Sequence, residues 1–221
     1  MHSFGHPVQI EKIVEIANQY QIPVVEDAAE SLGSYVGNQH TGTFGLVSAF
    51  SFNGNKTVTC GGGGALITND DAIGLRAKHV STTAKVPHPY EFFHDEIGFN
   101  YRMPNLNAAL ACAQLEQLTE ILRGKRVLAE NYIELFKDSN ITFKQEPDGT
   151  TSNYWLNAIQ LEDLDARNAF LKATNESGVM TRPIWTLMSK LPMFKDCERD
   201  DLKNSIWLEE RIINLPSSYI N

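Results

Sequence analysis

Residues 8–29 read VQIEKIVEIANQYQIPVVEDAA. Ile10, Ile13, Val14, Ile16 and Ala17 recur at helical spacing, so residues 8–20 are predicted to form a helix. Pro23 stops its continuation, and Val24-Val25 predicts a short buried strand. Two acidic residues, Glu26 and Asp27, follow at once. A helix running directly into such a strand predicts a parallel α/β layer. Ligands in sheets of this kind gather at the carboxyl ends of the strands, where Asp27 falls.

The next stretch extends the pattern. Val47 to Phe52 predicts a second strand with Ser51 near its end, and Lys56 follows in a polar turn. Gly61 to Gly64 then precede the apolar Ala65-Leu66-Ile67. Four glycines in a row are costly to order and are expected where backbone turns sharply or passes close to another group. The run lacks the spacing of a dinucleotide fingerprint and the Lys-Ser/Thr ending of a P-loop, so neither nucleotide-binding route is supported.

Residues 70–80 predict a helix, and 85–104 (KVPHPYEFFHDEIGFNYRMP) a long loop of the kind that often carries function. Residues 105–138 are rich in Ala, Leu, Glu and Lys and predict one or two long helices, with Gly124 as a possible break. A smaller α+β unit follows. Its strand candidates lie in 141–147, 153–161 and 179–185, and its helix candidates are 164–178, stopped by Gly178, and 204–216. The domain change is placed near residue 124, giving segments 1–124 and 125–221. At the start, residues 2–5 (HSFG) read as the end of a strand.

Composition narrows the function. The 221 residues are 42% hydrophobic and 21% charged, which excludes wholesale disorder. The formal charge of −8 argues against nucleic acid as a partner. No apolar run approaches the roughly 20 residues that cross a bilayer, and no signal peptide is visible, so no membrane association and a cytoplasmic setting are expected. Cys60, Cys112 and Cys197 are too scattered for a disulfide framework or a zinc site, and no metal is expected. The glycosylation-like triplets at Asn55, Asn140 and Asn175 read as chance matches.

Three polar residues at strand ends carry the chemistry: Asp27, Ser51 and Lys56. A surface lysine alone would be unremarked, but an amine, a carboxylate and a hydroxyl together are what a pyridoxal phosphate site requires. The amine takes the aldehyde, the carboxylate keeps the pyridine nitrogen protonated, and the hydroxyl helps to bind the phosphate.

The ordered segments EDAAESLGSY (26–35), HTGTFG (40–45), SAFSFNGNKTVTCGGGGALIT (48–68) and GFNYRMPNLNAAL (98–110) resemble the DegT/DnrJ/EryC1/StrS sugar aminotransferases. SNYWLN (152–157), RPIWTLMSKLPMFKDC (182–197) and RIINLPSS (211–218) look like that family's LegC-type branch, associated with 4-amino-6-deoxy nucleotide sugars on the route to legionaminic and related nonulosonic acids. The resemblance implies an α/β, fold-type I pyridoxal phosphate enzyme. Its large domain is a three-layer α/β/α unit, here only the second half, followed by a C-terminal α+β small domain.

The resemblance also implies roles. Lys56 would hold pyridoxal 5′-phosphate and move the proton during transamination. Asp27 would pair with the ring nitrogen, Ser51 would donate to the phosphate, and Asn100 would reach the phosphate of the neighbouring subunit of a homodimer. Glu30 would lie beside the ring, where relatives carry Gln or His; a carboxylate donates a hydrogen bond there only when protonated. The substrates would be L-glutamate and a nucleotide-linked 4-keto-6-deoxy sugar. Related dehydratases replace the lysine with histidine, whereas this chain keeps Lys56. Ser189 stands where relatives carry a histidine near the sugar. His2 and His6 are expected to be structural, and Trp155 and Trp185 to be core aromatics. Family members extend further at the N-terminus, where a Gly-Thr turn binds the phosphate. A second expectation therefore stays open: a non-catalytic remnant, or one half of a split enzyme, acting as a dimerising chain.

Overall fold

The periodic apolar residues after Val8 form helix α1, Ile10–Gln19, and the strand after Pro23 is β1, Val25–Asp27. β2 (Tyr35–Val36), β3 (Gln39–His40), β4 (Val47–Ser51), β5 (Gly64–Ile67), α2 (Asp71–Ser81), α3 (Asn105–Glu116) and α4 (Leu118–Phe136) follow. Then come β6 (Thr142–Phe143), β7 (Thr150–Thr151), β8 (Asn157–Gln160), α5 (Leu164–Glu176), β9 (Arg182–Pro183), α6 (Lys203–Glu209) and β10 (Ile212–Leu215). This computed structural model describes residues 1–219. The chain divides into two units, one of Met1–Leu122 with Glu146–Trp155, the other of Arg123–Gln145 with the residues from Leu156 onward.

In the first unit the main sheet has the order β1-β4-β5. β1 runs parallel to β4, with Val25, Glu26 and Asp27 opposite Val47, Ser48 and Ala49. β5 returns antiparallel, setting Ser51 against Gly64. Strand alternation then divides the side chains between two faces. Glu26, Ser48 and Phe50 are buried on one face, while Val25, Asp27, Val47, Ala49 and Ser51 share the other. The expectation of a buried β1 is corrected here: Val25 is 67% exposed and Glu26 is the buried residue. β1 is an edge strand, and the face carrying Val25 is open.

Glu26 tolerates burial because its carboxylate is saturated with donors. It accepts from His2 Nε2 at 3.0 Å and from the backbone N–H of Gly42 (2.7 Å), Phe44 (2.6 Å) and Gly45 (2.6 Å). Burial pulls its pKa upward, but these hydrogen bonds outweigh it and hold the carboxyl at about 2. The network ties the N-terminal segment to β1, and His2 N–H also donates to the Asp27 carbonyl at 3.1 Å. Residues 3–5 form a 3₁₀ turn rather than a strand end, with Phe4 at φ 60°. The glycine run meets its expectation: Gly61 and Gly63 have φ of 84° and 100°, and a Cβ on Gly64 would collide with the Phe50 carbonyl oxygen.

The helical stretch 105–138 breaks at Gln117, not at Gly124. Gly124 lies inside α4, and the Tyr219 ring occupies the space a side chain would need. In the second unit the sheet order is β6-β8-β10-β9. Ile159 of β8 and Ile213 of β10 pair in register and are fully buried at its centre. The helix expected over 204–216 ends at Glu209, because Ile212–Leu215 is taken as a strand between β8 and β9. Three of those four residues are buried, and the β-branched Ile212 and Ile213 suit a pleated, enclosed surface. Residues 153–155, expected in a strand, lie outside one: Tyr154 has φ 46°, a left-handed turn that interrupts pairing. Trp185 is corrected as well. It is 58% exposed, following the edge strand β9, and is not a core residue. Among the described residues no helix is long and apolar enough to cross a membrane.

Candidate active site

The first unit assembles most of the expected site residues around the carboxyl ends of β1 and β4. Asp27 closes β1, and its Oδ1 accepts from the Ala29 N–H at 3.1 Å, which shapes the turn. Ser51 closes β4 on the same sheet face, and its Oγ accepts from the Asn53 N–H at 3.3 Å. A tight turn, with the Lys56 N–H donating to the Asn53 carbonyl at 3.0 Å, then presents Lys56.

Glu30 meets Lys56 directly. Its Oε1 lies 3.8 Å from Lys56 Nζ, and its Oε2 accepts from the Phe4 N–H at 2.8 Å. The Glu30 residue is 7% exposed and the Lys56 side chain 14%. Burial raises the Glu30 pKa, opposed by the Phe4 N–H and Lys56 and reinforced by the charge of Asp27. Glu30 is therefore coupled to both Lys56 and Asp27, and its carboxyl holds a proton more tightly than a solvated glutamate does.

Two residues that pattern reading had not placed here also adjoin the cluster. Trp155 is buried as expected, but its ring also lies under Lys56, with Nζ 3.9 Å from the ring centroid. Asn153 is 2% exposed. Its Nδ2 donates to the carbonyls of Glu30 and Leu32, both at 2.9 Å, and reaches Thr57 Oγ1 at 3.3 Å. No periodicity marks these two, but the left-handed Tyr154 between them shows a segment bent for a purpose other than pairing.

Asn100 stands elsewhere in the same unit. It forms an isolated bridge with Thr82, and its Oδ1 accepts from Arg102 Nη1 at 3.1 Å. Arg102 Nη2 donates to the Thr82 carbonyl at 2.8 Å. Among the described residues no hydrogen bond or ion pair joins Asn100 to Asp27, Glu30, Ser51 or Lys56. A cavity of about 860 Å³ lies on the open sheet face, walled by Val47, Ala49, Leu66, Ile73, Ala77 and Arg102. Lys56 is not among its lining residues, so the volume reflects uncovered apolar sheet rather than the amine–carboxylate cluster.

His2 and His6 both serve packing. The His2 ring is bonded to Glu26, and His6 packs edge-on against Tyr154 at 5.3 Å. Burial lowers the His6 pKa to about 4, with Glu146 opposing, so that ring stays neutral near pH 7. Cys60 is buried, Cys112 and Cys197 are exposed, and all three are free thiols.

The fold is that of the fold-type I pyridoxal phosphate-dependent aminotransferases. The structure superposes on the aminotransferase TlmJ from Streptoalloteichus hindustanus with a TM-score of 0.92 and 25% identity, covering 98% of this chain and 59% of that one. Helicobacter pylori PseC, an aminotransferase involved in the biosynthesis of pseudoaminic acid, shares the fold with a TM-score of 0.91 and 22% identity, over 98% of this chain and 60% of that one. In sequence, the GDP-perosamine synthase of Escherichia coli O157:H7 is 35% identical over 219 residues, 98% of this chain and 59% of the relative. The chain belongs to the DegT/DnrJ/EryC1/StrS aminotransferase family, whose model matches residues 1–219. It spans about 59% of the length of that relative.

Proposed function

We propose that this chain carries the lysine-bearing part of a pyridoxal phosphate-dependent sugar aminotransferase. The observation that supports this most is the amine–carboxylate cluster itself, in which Lys56 meets Glu30 and Asp27 acts on the same carboxyl from the end of β1. The donor set fits the cofactor: an amine for its aldehyde, a carboxylate for its ring nitrogen and a hydroxyl for its phosphate. Lys56 would hold the aldehyde carbon, Asp27 the ring nitrogen and Ser51 the phosphate, with Glu30 beside the ring. Asn100 would serve the phosphate of a second copy. When bound, pyridoxal phosphate supplies the electron sink that makes the carbon–hydrogen bond next to an amino group acidic.

The chain's own residues do the rest. The Asp27 carboxylate would favour a proton on the ring nitrogen, because a nearby opposite charge stabilises the protonated form. Lys56 Nζ would take the proton from the α-carbon of the amino donor and deliver it to the carbon that came from the cofactor's aldehyde. Glu30 lies within reach of Lys56 Nζ, and burial makes its charged form costly. The donor in this reading is L-glutamate and the acceptor a nucleotide-linked 4-keto-6-deoxy sugar. The product would feed surface polysaccharide or nonulosonic acid biosynthesis, legionaminic acid included. The enzyme would work in the cytoplasm as a homodimer, with residues 1–124 as the cofactor-binding segment and 125–221 as the small domain.

Absorbance spectroscopy tests the reading. Purified chain mixed with pyridoxal phosphate should gain a visible band that L-glutamate bleaches, and Lys56→Ala should gain none. A band retained in Lys56→Ala would overturn the assignment of Lys56. A native chain that stays colourless would favour the non-catalytic remnant or split-enzyme reading.

A further inference from the structure

Lys56 Nζ faces two groups that come from distant parts of the sequence. Glu30 Oε1 lies 3.8 Å from Nζ, and the Trp155 ring centroid lies 3.9 Å from the same atom. The indole does more than pack. Its Nε1–H donates to the carbonyl of Asn55 at 2.7 Å, the residue immediately before Lys56. The ring is itself fixed, because the Trp155 N–H donates to Asn153 Oδ1 at 2.8 Å. Asn153 then reaches both neighbours of the amine: the Glu30 carbonyl on one side and Thr57 Oγ1, next to Lys56, on the other. Its own N–H donates to Ser34 Oγ at 3.0 Å, which donates in turn to the Gly5 carbonyl at 2.7 Å.

We propose that Trp155 is a positioning residue for Lys56, its indole face seating the ammonium and its N–H clamping the turn that presents it. The inference rests on the reading of Lys56 as the cofactor-holding amine, and it deepens that reading by naming what aims the amine. An ammonium is attracted to the negative face of an aromatic ring, most strongly to tryptophan and most usefully where water is scarce. A lysine on a flexible four-carbon stem otherwise samples many rotamers, and fixing it in one direction is the orientation that a reacting group needs. The Asn55 clamp acts through the backbone, so face and N–H are separable by substitution. Trp155→Phe keeps an aromatic face and removes the donor. Trp155→Leu removes both.

The test reads the amine without any cofactor. The full chain is reductively methylated with ¹³C-formaldehyde, and its dimethyl-lysine signals are recorded by NMR, with Lys56→Ala assigning the Lys56 signal. Methyl groups over an indole face are shielded, so the Lys56 signal should fall upfield of the other lysines. It should stay shielded in Trp155→Phe and rejoin the others in Trp155→Leu. A Lys56 signal that sits among the other lysines in the native chain overturns the proposal even if Trp155→Leu fails to fold. So does a shielded signal unmoved in a folded Trp155→Leu.

Pyridoxal phosphate is the second probe, with borohydride trapping and peptide mapping at Lys56. Capture joins the amine to the aldehyde with loss of water, and borohydride supplies the hydride that fixes the bond. The rate of capture should fall on the order of tenfold in Trp155→Phe, the worth of one lost hydrogen bond, and further in Trp155→Leu. Unchanged capture in both folded variants overturns the positioning role. A shielded Lys56 that never captures the probe would instead overturn the cofactor reading and leave the seat on Trp155 standing.

Discussion

Glu26 and Glu30 are four residues apart, both buried, and electrostatically opposite. Glu26 receives three backbone N–H groups and the His2 ring, and its carboxyl is held at about 2. Glu30 receives one N–H, faces Lys56 at 3.8 Å and feels the negative charge of Asp27, and its pKa is raised. Burial penalises both charges, so the number of donors decides the outcome. A carboxylate with a full set of donors is a structural anchor. One with a single N–H and a nearby amine is left able to exchange its proton. The first belongs to the packed face of the sheet, the second to the cluster around Lys56.

The largest expected effect tests the anchor. Glu26→Ala strands three N–H groups and a buried imidazole, and should cost about 3–5 kcal/mol, the range for breaking a buried charged network. Urea unfolding at neutral pH measures it. The acid response should follow. An isolated glutamate titrates near 4.5 and folded Glu26 near 2, so the unfolded chain binds the proton first. Stability from Glu26 is present above pH 4.5 and is lost as the pH falls towards 2. A shift of that size corresponds to roughly 3 kcal/mol. Glu26→Gln should lose this acid-sensitive component. A wild-type-like acid slope in Glu26→Gln would show that Glu26 is no anchor.

Asn153→Ala comes next, because Asn153 belongs to the other side of the comparison. Its amide holds the carbonyls of Glu30 and Leu32 and the N–H of Trp155. Leaving those groups unpaired should cost about 2–3 kcal/mol. The loss should fall on the loops that carry Glu30 and Lys56, so amide hydrogen exchange should accelerate there and hold steady around Gly42–Gly45. Equal acceleration in both regions would mean that the two are one cooperative structure.

The sequence made one side of this contrast readable and hid the other. The β1–β4 pairing, the glycine turn and the positions of Asp27, Ser51 and Lys56 all follow from local pattern: apolar runs, a proline stop and polar residues where strands end. The burial of Glu26 does not, because an edge strand of three residues has no period to show, and the donors that permit it come from residues 42–45. Trp155 and Asn153 lie about a hundred residues from Lys56, joined to it only by tertiary hydrogen bonds and a ring contact. Gly124 and Ile212–Leu215 went against pattern for related reasons. One glycine makes room for Tyr219 inside a helix, and a helix-like run is captured as a strand between two neighbours.

The smallest effect is the sharpest discriminator. Glu30→Gln keeps an oxygen to accept the Phe4 N–H and removes the charge opposite Lys56. Because folding raises the Glu30 pKa, the folded chain binds this proton more tightly than the unfolded one. The favourable contribution is full below pH 4.5 and is lost as the pH rises through the folded value, so ionised Glu30 burdens the fold at neutral pH. Glu30→Gln should therefore change stability at pH 7 by less than about 1 kcal/mol and towards greater stability, whereas Glu26→Gln should be destabilising. Urea midpoints of the two glutamine variants, compared at pH 7 and pH 4, measure this directly. If both substitutions destabilise alike at pH 7, Glu30 is a second anchor and its charge beside Lys56 is no burden on the fold.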